Sequence, residues 1–201
     1  MRSGMEKRKY TQVRRAEQQD DTRRRIVEAT MALHEEIGPR RTTISAIAER
    51  AGVQRLTVYR HFPDEAAVIH ACSSTWFGQN PPPPLPAEGS GGTVDEALRD
   101  ALQALYAYHR RTRRMWDAVL RDAGEVEALR EPLAQAAAYF ASYGDALLRK
   151  LHPRGEPGRE ARAAVALAVN FATWSTLADA GLADKAIARL MADWLGVACA
   201  R

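Results

Sequence analysis

The chain has 201 residues, 46% of them apolar and 27% charged, with two cysteines and a net charge of +4. That is enough for one or two domains with buried cores and no covalent staples, and Cys72 and Cys199, far apart and in no CxxC pair, argue against a disulfide framework or a zinc site. No run of roughly 18 apolar residues is present to span a bilayer, and no apolar stretch follows the basic N-terminus as in a secretory leader, so the expectation is a soluble cytoplasmic protein with no membrane partner and no cofactor.

The charge is unevenly placed. Residues 1–72 hold 14 Lys and Arg against 10 Asp and Glu, while residues 73–201 hold 15 of each. Residues 1–25 alone carry 9 basic and 4 acidic side chains. This stretch suits a polyanion, nucleic acid before membrane because it lacks a bulky apolar face, or else is a disordered solubilising tail. Residues 1–20 are therefore expected as a flexible basic arm.

From Asp20 the pattern is helical. Ile26, Ala29, Thr30, Leu33 and Ile37 share one face, Asp20, Asp21 and Thr22 offer a cap, and Gly38 with Pro39 ends the helix. A second, short helix is capped by Thr43, packs Ile44, Ile47, Ala48 and Ala51, and stops at Gly52, a left-handed turn residue. A third of about two turns covers residues 55–62. A fourth, capped by Asp64, points Val68, Cys72 and Trp76 inward.

Residues 78–93 then hold five prolines and four glycines and predict a linker or long loop. Beyond it, 94–112, 114–123, 131–151, 159–180 and 182–200 all read as helix. The run "AAVALAVNFATWSTLADA" is apolar on more than one face, which suits burial against a second subunit. The predicted fold is all-α, with a helix-turn-helix domain at 21–72, the end of a connecting helix and the loop at 73–93, and a helical bundle at 94–201.

The third helix, "RLTVYRH", holds the chemistry. At 100° per residue Arg55, Leu56, Tyr59 and Arg60 fall in one arc, Val58 lies opposite, and Thr57 and His61 share the flank. Arginine reaches guanine O6 and N7, leucine meets a thymine methyl, and hydroxyl, phenol and imidazole groups donate to phosphate oxygens. Residues 42–68, "TTISAIAERAGVQRLTVYRHFPDEAAV", resemble the DNA-binding signature of TetR/AcrR-type transcriptional regulators at Thr43, Ile47, Ala48, Ala51, Gly52, Val53, Thr57, Val58, Tyr59, His61 and Phe62.

The resemblance covers about residues 21–72. It implies a homodimer formed through the last two helices, with two recognition helices on a partly palindromic double-stranded operator. Carried over by position, it implies phosphate contacts from Thr57, Tyr59 and His61, base contacts from Arg55, Leu56 and Arg60, and a place beside the DNA for Ser45. The sequence departs from the pattern at Gln54, where serine or threonine often caps the recognition helix, and at Glu65, where a phosphate-binding lysine is common. Arg14, Arg15 and Arg23 to Arg25 are expected to offset the second loss.

The resemblance also implies a small-molecule effector inside the bundle. Trp76, Phe77, Tyr106, His109, Met115, Trp116, Tyr139, Phe140, Tyr143, Asn170 and Trp174 are the aromatic and polar candidates, and they suit an apolar or aromatic ligand as well as an ordinary core. Asn170, an amide in an apolar run, needs a hydrogen-bond partner. An enzyme is not expected: there is no GxSxG, P-loop, GxGxxG or HExxH, and His34, His61, His70, His109 and His152 follow no metal-ligand spacing.

Overall fold

The computed structural model describes residues 3–87, 93–151 and 157–199, and the side chains of residues 14–198 within those ranges. The run "GSGG" at 89–92, His152 and the Cys199 side chain lie outside them. The described residues form nine α-helices and no strand: α1 (Ser3–Ile37), α2 (Ile44–Ala51), α3 (Arg55–His61), α4 (Glu65–Gln79), α5 (Val94–Asp122), α6 (Arg130–Leu151), α7 (Arg159–Val169), α8 (Phe171–Asp179) and α9 (Asp184–Cys199), with single 3-10 turns at Pro39–Arg41 and Glu127–Leu129. None of the described helices is long and apolar enough to cross a membrane.

The chain divides into two compact units, residues 1–79 with 117–132, and residues 80–116 with 133–201. The sequence reading put the whole of 94–201 in one domain. The structure assigns 117–132 to the first unit because this segment is bonded there. The Asp122 carboxylate accepts from the Arg40 amide (3.1 Å), Arg40 pairs with Glu125 (2.7 Å), and the 3-10 turn at Glu127–Leu129 packs on α4. Gly38, at φ +88, permits the close approach, since a Cβ there would run into Arg121 and Asp122.

In the first unit Ile26, Ala29 and Leu33 of α1 meet Ile44, Ile47 and Ala48 of α2, Val58 of α3 and Val68 of α4. Three of the expected caps and turns are present: the Thr43 hydroxyl accepts from Ala46 N, Gly52 is left-handed (φ 65), and Asp64 accepts from Ala67 N at 2.8 Å. Gln54 makes no side-chain cap. The first helix differs, beginning at Ser3 rather than Asp20. Residues 5–25 hold neither proline nor glycine and are rich in Arg, with Gln, Lys and Glu besides, which favour helix. Thr22 is no cap; its hydroxyl donates to Gln18 O one turn back.

In the second unit α5 and α6 pack with α7, α8 and α9 around Leu102, Leu105, Tyr106, Tyr143, Leu147, Trp174 and Ile187. Two helices read as separate, 94–112 and 114–123, are one, α5. One helix read as continuous, 159–180, is two: α7 ends at Val169, and Asn170 turns extended (φ −75, ψ 133) and caps α8 by accepting from Ala172 N at 2.7 Å. The proline-rich loop is tied down where it is described, Pro83 O accepting from the Tyr139 hydroxyl and Pro81 O from Arg111.

Candidate functional site

In the first unit the short α3 is fixed by one buried side chain, Val58, with no exposure, and by Phe62 just past its end. Its other side is open. Leu56 is 68% exposed, an unusual position for a leucine on a helix whose only core contact lies opposite, and Arg55, Tyr59 and Arg60 are exposed with it. Arg55 donates to the Tyr59 hydroxyl (3.3 Å) and lies 5.7 Å from that ring, so the two large polar side chains hold each other in place. Thr57 and His61 are half-buried on the flank, and Ser45 is exposed in the first turn of α2.

Beside α3 runs a groove of about 410 Å³, lined by Thr57, Arg60 and His61 on one wall and by Arg15, Gln18, Gln19 and Thr22 of α1 on the other. The sequence reading foresaw Arg15 but not the two glutamines or Thr22. The signal was present. Counting back from Ile26, Ala29 and Leu33, the same helix face carries Arg15, Gln18, Gln19 and Thr22, so the stripe that is apolar over the core turns polar where it passes α3.

The three arginines at 23–25 have other roles. Arg23, expected on DNA, donates to His61 O (3.2 Å) and stacks on the Phe62 ring at 4.3 Å, stapling α1 to the end of α3. Arg25 donates to Ala51 O and Gly52 O, closing the C-terminus of α2. Arg24 pairs with Asp21 and Glu28 along its own helix. Arg14 is exposed on α1, and Glu65 is exposed in the first turn of α4, where its charge suits the helix dipole.

In the second unit the structure brings most of the aromatic candidates together. His109 of α5 has no exposure and sits among the rings of Tyr106, Tyr108, Phe140, Phe171 and Trp174, at centroid distances of 5.4 to 6.4 Å. Trp116 joins through Phe140 and Phe171 (5.8 and 6.2 Å), and Tyr139 through Phe140 (5.9 Å). Tyr108 and Phe171 were not foreseen; Phe171 falls into the ring cluster only because the helix breaks just before it. Tyr143 is buried core, donating to Ala101 O. Trp76 is buried on α4 in the first unit. Asn170, expected inside an apolar run, is exposed and serves as a cap, so the partner it needs is a backbone amide.

Polar bonds hold the cluster in register. The Tyr106 hydroxyl donates to Ala168 O (2.8 Å), and His109 Nε2 lies 3.3 Å from Val169 O. These are the last carbonyls of α7, left without helical partners by the break, so α5 supplies the cap that the interrupted helix lacks. The Trp174 indole donates to Asp184 (3.0 Å), which also takes a two-pronged bond from Arg110 at 2.8 Å. Burial works against the Asp184 charge, yet these donors hold its carboxyl below the ordinary carboxylate range. Burial pushes His109 down to about 4 and the Tyr108 phenol up to about 12, so both are neutral at pH 7. No three His, Cys, Asp or Glu side chains among the described residues are placed to hold a metal ion.

A third surface lies on the last helices. Leu190, Trp194 and Val197, at i, i+4 and i+7 of α9, are 45, 39 and 67% exposed, and Leu167 of α7 is 52% exposed.

A short helix set on a capped helix by a left-handed glycine, with arginines and a phenol displayed outward, is a helix-turn-helix, and the protein is of the DNA-binding class. Residues 26–72 match the family model described as "Bacterial regulatory proteins, tetR family". Over these residues the chain is similar to the DNA-binding domain of the TetR-type transcriptional regulators.

Solved structures of the same fold include a TetR-family transcriptional regulator from Rhodococcus sp., 21% identical, with a TM-score of 0.62 over 89% of this chain and 98% of that one. FadR from Bacillus subtilis, solved with stearoyl-CoA, is 16% identical at a TM-score of 0.58, covering 87% of this chain and 97% of its own. NalD, the secondary repressor of the MexAB-OprM multidrug efflux pump in Pseudomonas aeruginosa, is 21% identical at 0.57, covering 89% and 95%. Among curated proteins none matches.

Proposed function

We propose that this protein is a dimeric repressor which holds a partly palindromic operator through two copies of α3 and releases it when a flat apolar or aromatic ligand enters the second unit. The observation that carries the reading is the split of α3 into one fully buried residue, Val58, and a displayed set of Arg55, Leu56, Tyr59 and Arg60. Arg55, Leu56 and Arg60 read base edges in the major groove; Thr57, Tyr59, His61 and Ser45 hold phosphates. The polar wall of α1, with Arg14 and Arg15, extends the backbone contact beyond α3 and compensates for Glu65.

The exposed apolar side chains of α9 and Leu167 support pairing of two copies through the last helices. The caged aromatic cluster supports the ligand, as do the similar structures of FadR, solved with stearoyl-CoA, and NalD, a repressor of a multidrug efflux pump. Ligand and operator then oppose each other by population shift, each favouring a different conformer. The protein works in the cytoplasm, where its DNA is.

Fluorescence anisotropy on the DNA upstream of the protein's own gene, against a scrambled duplex and across a salt series, tests this. The expected result is one dimer per site and a preference of more than roughly 10³ for the genuine sequence. Removing residues 1–19 should weaken binding and flatten the salt dependence. A preference near one on every duplex recovered by selection from genomic fragments would overturn the reading, and an unchanged salt slope would overturn the role of α1.

A further inference from the structure

His109 has one nitrogen accounted for and one not. Val169 O can only accept, so Nε2 beside it carries the proton. Nδ1 would be protonated as well only in the imidazolium, which the surrounding rings disfavour by excluding water; the pKa near 4 agrees with that. Nδ1 is thus a bare lone pair at neutral pH. It is fully buried and has no hydrogen-bond partner among the described residues. Folded interiors ordinarily match such an acceptor with a donor, and an apolar ring at position 109 would avoid the cost altogether.

We infer that Nδ1 of His109 is the polar recognition point of the second unit, accepting a hydrogen bond from a ligand that is flat, aromatic and carries a single hydroxyl or N–H donor. This rests on the reading that the second unit binds a small molecule, and it narrows the class. Tyr139, Phe140 and Phe171 are the half-buried members of the ring cluster and so form its edge, with the buried Trp174 against Phe171. A planar ligand parting these rings stacks on faces that are already tilted for offset contact, and its donor meets the lone pair. A carboxylate would set lone pair against lone pair, and an alkyl chain would leave Nδ1 as it is. Recognition by a buried group that needs a partner discriminates far more strongly than apolar fit alone.

The test uses three probes of one ring system on the full chain: 2-naphthol, 2-methoxynaphthalene and 2-naphthoate, titrated calorimetrically at pH 7. The expected order is 2-naphthol at least about tenfold tighter than 2-methoxynaphthalene, with 2-naphthoate weakest. In His109→Phe the two neutral probes should bind alike. Because that variant also removes the cap on Val169 O, imidazole ¹⁵N spectra of the unaltered protein give a second readout. The Nδ1 signal, of the unprotonated type in the free protein, should shift toward the hydrogen-bonded position with 2-naphthol and stay in place with 2-methoxynaphthalene.

Equal affinity for the neutral pair, or a 2-naphthol preference that survives in His109→Phe, overturns the inference and leaves the ligand reading standing. Absence of binding by all three also overturns it. The ligand reading itself falls separately, if no compound of a broad screen releases the operator.

Discussion

Helix α3 and the ring cluster on α5 use similar side chains for opposite purposes. Arg55, Tyr59 and Arg60 face water on a helix anchored by Val58 and Phe62, and Arg55 donates to the Tyr59 hydroxyl. Tyr106, His109 and Trp174 are each fully buried, and each spends a hydrogen bond on the fold itself, capping α7 or anchoring α9. On the proposed function, recognition and stability fall to different residues in the first region and to the same ones in the second, where a change made to alter recognition should also alter folding.

The widest separation should appear between Trp174→Ala and Arg60→Ala. Truncating Trp174 removes a buried indole from the main core and its bond to Asp184, which costs about 3 to 5 kcal/mol and should show as an earlier denaturant midpoint for the second unit. Arg60→Ala should leave that midpoint within about 0.5 kcal/mol, yet weaken operator binding by about 1 to 3 kcal/mol and relax preference at one base position. A stable Trp174→Ala protein, or an Arg60→Ala protein that loses stability as fast as affinity, would break the contrast.

Acid should act on both regions alike, because each unit buries a neutral histidine. Burial pushes His109 down to about 4, opposed by its bond to Val169 and by Asp184; it pushes His34 of α1 down to about 4 as well, opposed by Asp122. The unfolded chain, with histidines near 6.5, binds more protons than the folded one between pH 6.5 and 4. Stability is therefore fully present above about pH 6.5 and is lost as pH falls toward 4, by an amount on the order of 3 kcal/mol for each histidine. Thermal unfolding at pH 7 and pH 5 checks the sign, and replacing His34 or His109 should flatten the profile.

How far the sequence was legible follows the same division. The face of α3 could be read because one buried position and a 3.6-residue period determine which side chains are displayed. Gly52, Thr43 and Asp64 marked their turns by chemistry that acts within three or four residues. The run 159–180 looked continuous because its break depends on groups far along the chain: nothing near Asn170 announces that Tyr106 and His109 will satisfy the carbonyls of Ala168 and Val169. Segment 117–132 groups with the first unit for a similar reason, since Asp122 reaches Arg40 across 82 positions. The charge of the arm suggests a flexible tail, whereas its Arg, Lys, Gln and Glu residues, with no proline, favour helix.

The smallest effect isolates that break. Asn170 is exposed, and its side-chain oxygen accepts from Ala172 N. Asn170→Ala should cost about 1 kcal/mol, the ordinary value of a lost cap. If the break exists only because asparagine caps it, alanine would let α7 and α8 fuse into one helix, Val169 O would turn into the helical ladder, and His109 would lose the partner of Nε2. If Tyr106 and His109 hold the break, alanine leaves it in place. The His109 ring ¹⁵N signals separate the two outcomes: an unmoved Nε2 means that α5 enforces the break, and a shifted one means that the shape of the cluster was set by a residue at its surface.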